Sequence, residues 1–158
     1  MSVTGLNHAV LWVRDASATA AFFGRHLGFE VVTADPSGRA VFLHAPGSAR
    51  HHDLGVFTVG NRPSAPPQSP GLYHLAWQVS TVDDLVPIRA SLLAEGALVG
   101  ESDHGVSKSL YGRDPDGIEF EVMWSVPSEQ WAAIPDALVQ RLDLVAEVAR
   151  WSGVTTVS

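Results

Sequence analysis

Seven histidines and seventeen acidic residues, with no cysteine at all, set the metal chemistry open to this 158-residue chain. Without thiols there are no disulfides and no thiolate ligands, so a bound metal must take nitrogen and oxygen donors. Two of the histidines recur in matching places. Residues 6–13 read Leu-Asn-His-Ala-Val-Leu-Trp-Val and residues 72–79 read Leu-Tyr-His-Leu-Ala-Trp-Gln-Val, so His8 and His74 each stand third in an apolar, strand-like segment. A late strand, about 118–124, carries Glu119, Glu121 and Met123 on one side and Ile118, Phe120, Val122 and Trp124 on the other, because alternate strand residues share a face. The apolar side suits packing under helices. Glu121 therefore lines whatever the sheets enclose, where a carboxylate without a partner is costly to bury. Two imidazoles and one carboxylate on strands form the facial-triad arrangement, suited to iron(II) and compatible with manganese or zinc. A lone strand histidine is more often a structural residue. The matching positions of His8 and His74 point instead to ligands.

The elements that must position these residues repeat as well. Each histidine strand is followed by a helix-like stretch. The first runs from about Asp15 to Leu27 and stops at Gly28; the second follows Thr81-Val82-Asp83-Asp84, which has the form of a capping box, and stops at Gly96. Three strands come next in each half, about 29–34, 39–45 and 52–59, then 97–101, 107–113 and 118–124. Turn-rich segments separate them, among them Asp114-Pro115-Asp116-Gly117. The fold class is α+β: module one over 4–60, a proline-rich linker over 60–71, module two over 71–125 and a helical tail over 126–158. The main tail helix is expected to start near Pro135-Asp136 and to place Leu138, Leu142 and Val145 on one side.

The bulk properties exclude several functions. Net charge is −7, and the ten Lys and Arg residues form no basic stripe, which argues against nucleic acid and anionic membrane as partners. No apolar run approaches the roughly 18 residues of a membrane span, and the N-terminus has no secretory pattern, so a cytoplasmic protein is expected.

On the two strand histidines and the run Asp114-Pro115-Asp116-Gly117-Ile118-Glu119-Phe120-Glu121, the sequence resembles the vicinal oxygen chelate superfamily, over about residues 4–125. That superfamily includes glyoxalases, fosfomycin- and bleomycin-resistance proteins and extradiol dioxygenases. The resemblance implies paired βαβββ modules forming an open, barrel-like cup around one divalent metal held by His8, His74 and Glu121. Glyoxalase-type sites add a second acidic ligand from the first module, and the corresponding strand here, Leu54 to Val59, offers none. A site with three protein ligands keeps open positions for substrate oxygens and dioxygen.

Further motifs resemble the extradiol dioxygenases. His51-His52-Asp53-Leu54 looks like the segment that carries their catalytic histidine, here mapped to His52. His104-Gly105-Val106-Ser107 looks like the segment with their substrate-contacting histidine, and Tyr111, ten residues before Glu121, matches their tyrosine. The resemblance implies an iron(II) enzyme (Mn(II), Zn(II) and Ni(II) being the other candidates) that opens the ring of a small aromatic diol with dioxygen, and it implies a homodimer. Under this reading Tyr111 shares a proton with a substrate oxygen, His104 holds the other oxygen, and His52 handles charge and protons near dioxygen, as an imidazole titrating near neutrality can. Either His51 or His52 can face the cup. Val10, Trp12, Ala76, Gln78 and Met123 make its lining mostly apolar. Glu119 reads as a rim residue or ion-pair partner, and His26 and His44 as surface residues. Within the same superfamily the alternatives are a glyoxalase-like isomerase or lyase, a thiol transferase like the fosfomycin-resistance enzymes, and a non-catalytic binder of a drug or metabolite.

Overall fold

Capping chemistry fixes the helices of the two modules where the sequence places them. In the computed structural model, which describes residues 2–64, 66, 68–134 and 139–156, helix α1 spans Ala16–Leu27. The Asp15 carboxylate accepts from the backbone N–H groups of Ser17 and Ala18, satisfying two donors that the first helical turn leaves unpaired. Gly28 closes the helix in the left-handed conformation, at φ 72°, where a side chain would be strained. In the second half, Asp84 accepts from both the backbone N–H and the hydroxyl of Thr81, fixing the entry to a 3₁₀ turn at Val82–Asp84 and then to helix α2, Leu85–Ala94.

Eight strands complete the two modules: β1 Ala9–Val13, β2 Glu30–Ala34, β3 Ala40–His44, β4 Leu54–Thr58, β5 His74–Gln78, β6 Leu98–Asp103, β7 Ser107–Arg113 and β8 Glu119–Ser125. They form two four-stranded mixed sheets of one design, ordered β1-β4-β3-β2 and β5-β8-β7-β6. In each sheet the histidine-bearing strand runs parallel to the last strand of its module, and the other pairings are antiparallel. A register shift recurs at the same place, between Val31 and Thr33 in β2 and between Leu98 and Gly100 in β6. The fold is therefore α+β, with two βαβββ modules.

The chain divides into two compact units, one of residues 1–69 with 114–116, the other of residues 70–113 with 117–158. In the first, α1 lays Ala16, Ala20 and Phe23 onto the sheet, where Leu11, Val13, Leu43, Leu54 and Val56 are buried. In the second, α2 packs against β7 and β8, where Leu110, Phe120, Val122 and Trp124 are buried. Burying each such side chain contributes about 1.5–3 kcal/mol. The row Phe120, Val122 and Trp124 thus faces the helices as expected, which turns Glu121 to the other side of β8.

Three expectations change. The histidine strands are shorter than 6–13 and 72–79: pairing starts at Ala9, whose N–H reaches the Asp53 carbonyl, so His8 immediately precedes β1 and His74 opens β5. The tail helix begins later than expected. Gln140 forms an antiparallel bridge with Asp103, so that stretch is extended, and helix α3 runs over Leu144–Trp151 with Asp143 as its cap. The expected start at Pro135-Asp136, and Leu138, lie outside the described residues. A short 3₁₀ segment, Ser128–Ala133, precedes them. Part of the apolar side of α3 is covered within its own unit, since Trp151 stacks near Trp124 at 5.8 Å. Finally, His26 is buried rather than on the surface, because it continues the α1 stripe of Ala16, Thr19, Ala20 and Phe23 and packs on Phe22 at 4.5 Å. Among the described residues no helix is long and apolar enough to cross a membrane.

Candidate metal centre

The second unit assembles four of the six expected site residues into one hydrogen-bonded row. Strand register does the positioning. Tyr111 on β7 lies directly across from Glu121 on β8, and Ala76 of β5 lies across from Glu121 on its other side, two residues beyond His74. Glu121 is 9% exposed. One of its oxygens, Oε2, stands 3.2 Å from His74 Nε2, and the other, Oε1, accepts from the Tyr111 hydroxyl at 3.5 Å. Tyr111 is met in turn by His104 Nε2 at 2.9 Å. A phenol that donates to Glu121 can take a further hydrogen bond as acceptor, so both contacts of Tyr111 are satisfied when His104 carries its proton on Nε2.

Burial and the Glu121 charge both raise the pKa of Tyr111 above the ordinary phenol value of 10.0, burial being the larger cause. The hydroxyl is therefore neutral throughout the physiological range. Glu119 pairs with Arg113 at 3.4 Å, which agrees with a rim residue or ion-pair partner.

The first unit holds the remaining two residues, and they touch. His8 is exposed and its Nδ1 lies 2.9 Å from Asn7 Oδ1, so Asn7 fixes the ring and leaves Nε2 available as a donor atom. The His52 ring sits 4.6 Å from the His8 ring and 5.1 Å, edge to face, from Phe42. His52 is thus the member of its pair that joins His8. His51 is exposed and meets His52 through the two Nδ1 atoms at 3.1 Å. The loop that presents both histidines is tied by Asp53, a residue whose role the sequence does not signal. Its buried carboxylate accepts from Ala45 N–H and Ser48 Oγ, each at 2.8 Å, and stands 3.7 Å from the half-buried His44. His44 is accordingly a loop anchor more than a surface residue.

Module symmetry also bears on the expected number of ligands. Val10 of β1 pairs with Gly55 of β4 as Ala76 of β5 pairs with Glu121 of β8. The place corresponding to Glu121 in the first module is therefore Gly55, which brings no carboxylate. Among the described residues, no three His, Asp or Glu side chains are grouped closely enough to hold an ion. The donor set of the second unit fits a divalent metal: an imidazole nitrogen and a buried carboxylate oxygen face one another, with no Lys or Arg paired to Glu121 among the described contacts.

Comparison with known proteins agrees with this architecture. A family model described as the Glyoxalase/Bleomycin resistance protein/Dioxygenase superfamily matches residues 5–122. A catechol-2,3-dioxygenase of Bacillus subtilis is 30% identical over 132 residues, which make up 81% of this chain and 44% of that protein. The chain thus spans under half the length of that relative. The virulence protein STM3117 of Salmonella typhimurium is 31% identical over 126 residues, covering 77% of this chain and 85% of that protein. Among solved structures, a glyoxylase/bleomycin resistance protein/dioxygenase domain from Frankia superposes with a TM-score of 0.64 at 24% identity, over 79% of this chain and all of that one.

Proposed function

The chain belongs to the glyoxalase/bleomycin resistance protein/dioxygenase superfamily, and from that premise we propose that it is a metal-dependent extradiol-type dioxygenase, which opens the ring of a small catechol beside its diol. The observation that carries the reading is the row His104, Tyr111, Glu121, His74, since it joins two expected metal ligands to two expected catalytic groups within hydrogen-bonding distances. The similarity to a catechol dioxygenase at 30% identity supports the same substrate class.

In this reading His8, His74 and Glu121 hold one divalent metal, iron(II) by preference. Iron(II) in such a site supplies the redox chemistry that lets dioxygen react with an aromatic diol. The chain's own residues do the rest. Tyr111, whose pKa burial raises, acts as a neutral hydrogen-bond partner for a diol oxygen. His104 orients that phenol and, at 2.9 Å, is near enough to take or return a proton through it. His52, wedged between His8 and Phe42, would place an imidazole beside a ligand, where it could hold or pass on a proton. The exposed faces of Val10 and Trp12 offer apolar surface for an aromatic ring. Gly55, in place of a second carboxylate, supports a site with vacant positions rather than a four-ligand one.

The test is anaerobic loading with iron(II) followed by oxygen uptake against a panel of catechols. The reading predicts one oxygen consumed per diol, with a yellow ring-opened product. A fully loaded protein that consumes no oxygen with any diol would sink it, and retention of nickel, zinc or manganese through purification would direct attention to isomerase, lyase or thiol-transfer chemistry.

A further inference from the structure

A lysine occupies the interior of the second unit, on the side away from Glu121. Lys108, the second residue of β7, is 4% exposed and shares its strand face with Leu110, opposite Trp124. An ammonium is tolerated at such depth only with partners. Its Nζ lies 2.5 Å from Asp103 Oδ1 and 3.4 Å from Glu147 Oε2 on α3. The same Asp103 oxygen accepts from the Gly105 N–H at 2.7 Å, and the Asp103 backbone exchanges two hydrogen bonds with Gln140, at 2.8 and 2.9 Å.

These contacts meet at one place, the turn that carries His104. Asp103 precedes that histidine and Gly105 follows it. The His104 backbone is further held by its N–H to the Ser107 carbonyl and by its carbonyl, which accepts from Val106 N–H. A lysine on one strand and two groups from the tail therefore converge on the backbone that aims His104 at Tyr111. Glu147 and Gln140 both lie beyond residue 122, the last residue of the family match, so this bracing is a feature of the chain's own tail.

We propose that Lys108 is a positioning residue: through Asp103 it holds the His104 turn in register with Tyr111, and the tail, by Glu147 and Gln140, makes that hold rigid. The inference rests on the reading that His104 and Tyr111 act on the substrate, but the position of the turn can be measured without any turnover. Displacement of such a group by about 1 Å is enough to lower a rate roughly a hundredfold while leaving ground-state binding intact.

Glu147→Gln and Lys108→Met, with Lys108→Arg as the conservative control, supply the test. Amide hydrogen exchange at Gly105, iron content after anaerobic loading, and kcat and KM for catechol are measured together. Expected for Glu147→Gln and Lys108→Met is exchange at Gly105 faster by about tenfold with β5 unchanged, since the opening is local. Iron content should hold and kcat should fall about ten- to a hundredfold at nearly constant KM. Lys108→Arg should restore most of both. Should Lys108→Met fail to fold, Glu147→Gln decides alone. Unchanged exchange at Gly105, acceleration spread equally over β5 and β8, or a fall in kcat matched by loss of iron would overturn the proposal. If the wild-type protein turns over no diol, the dioxygenase reading falls, and exchange at Gly105 still decides whether Lys108 holds the turn.

Discussion

Where β4 runs beside β1 in the first module, the residue across from Val10 is Gly55, and across from Gly55 on β3 is Phe42. At the same register in the second module stand Glu121 and Tyr111. The strand order, the helix, even the irregularity in the edge strand are shared, yet four of the six polar groups that could do chemistry lie in the second copy. The first module contributes a histidine at the mouth of its strand, His52 packed beside it, and an apolar face. The second contributes a histidine at the same mouth together with a carboxylate, a phenol and a further imidazole. Their edges differ too: all five residues of β2 are exposed, whereas β6 is bridged by Gln140 from the tail. A duplicated scaffold supplies the geometry, and the two copies carry different polar groups on it.

The largest effect should follow from removing the distinguishing carboxylate. Glu121→Ala is expected to lower metal affinity by more than about 100-fold, a larger loss than those typical of outer-shell changes, and to abolish oxygen uptake, as read by metal analysis of anaerobically loaded protein. Gly55→Glu attacks the comparison from the other side by giving the first module a carboxylate. A Cβ at Gly55 meets Phe42 and Val10 at ordinary distances of 3.4 and 3.5 Å, so the backbone there can carry a side chain. The metal should stay while oxygen uptake falls about tenfold or more, because a fourth protein ligand takes a position that substrate needs. Tyr111→Phe makes the second module match Phe42 of the first. It should reduce kcat by about 10²–10⁴ through loss of proton transfer, with the thermal midpoint little changed.

Smaller effects concern packing and the tail. Gly112 lies across from Phe120, and a Cβ there would come within 2.4 Å of the Phe120 ring, whereas the first module has Leu43 across from Leu54 at the corresponding place. Gly112→Ala should therefore cost about 1–3 kcal/mol in thermal denaturation, because the buried ring must shift. Smallest is an acid effect on the tail. Hydrogen bonds from the Gly153 N–H and then the Ser152 hydroxyl hold the Asp83 carboxyl below its ordinary value of 3.8. With the folded value lowered, this anchor is fully present above pH 3.8 and is lost as pH falls through the lower folded value. Fluorescence of Trp151, which stacks near Trp124, should report a slight loosening there, and Asp83→Asn should remove that step.

Much of this was legible in the residues because the signals are local. Asp15 and Gly28 mark the ends of α1 by capping, Thr81 and Asp84 mark the entry to the second helix, and alternation places Phe120, Val122 and Trp124 opposite Glu121. His26 was legible as well, since the α1 stripe runs through it, but a histidine near a helix end suggests solvent. The tail was misjudged because its extended stretch at Gln140 depends on a partner, Asp103, that no periodicity encodes. For the same reason Lys108 and Asp53 gave no sign of their roles. Each acts through contacts assembled from separate segments, whereas His74 and Glu121 sit at places marked by the strand repeat and alternation, and Tyr111 at one marked by the family resemblance.

Crystallography of anaerobically iron-loaded protein, with anomalous diffraction recorded at the iron edge, tests the ligand assignment most directly. The account predicts a single anomalous peak per chain in coordinating contact with His8, His74 and Glu121, with further positions open to solvent. A peak bound elsewhere, or one that leaves any of those three side chains uncoordinated, would contradict it.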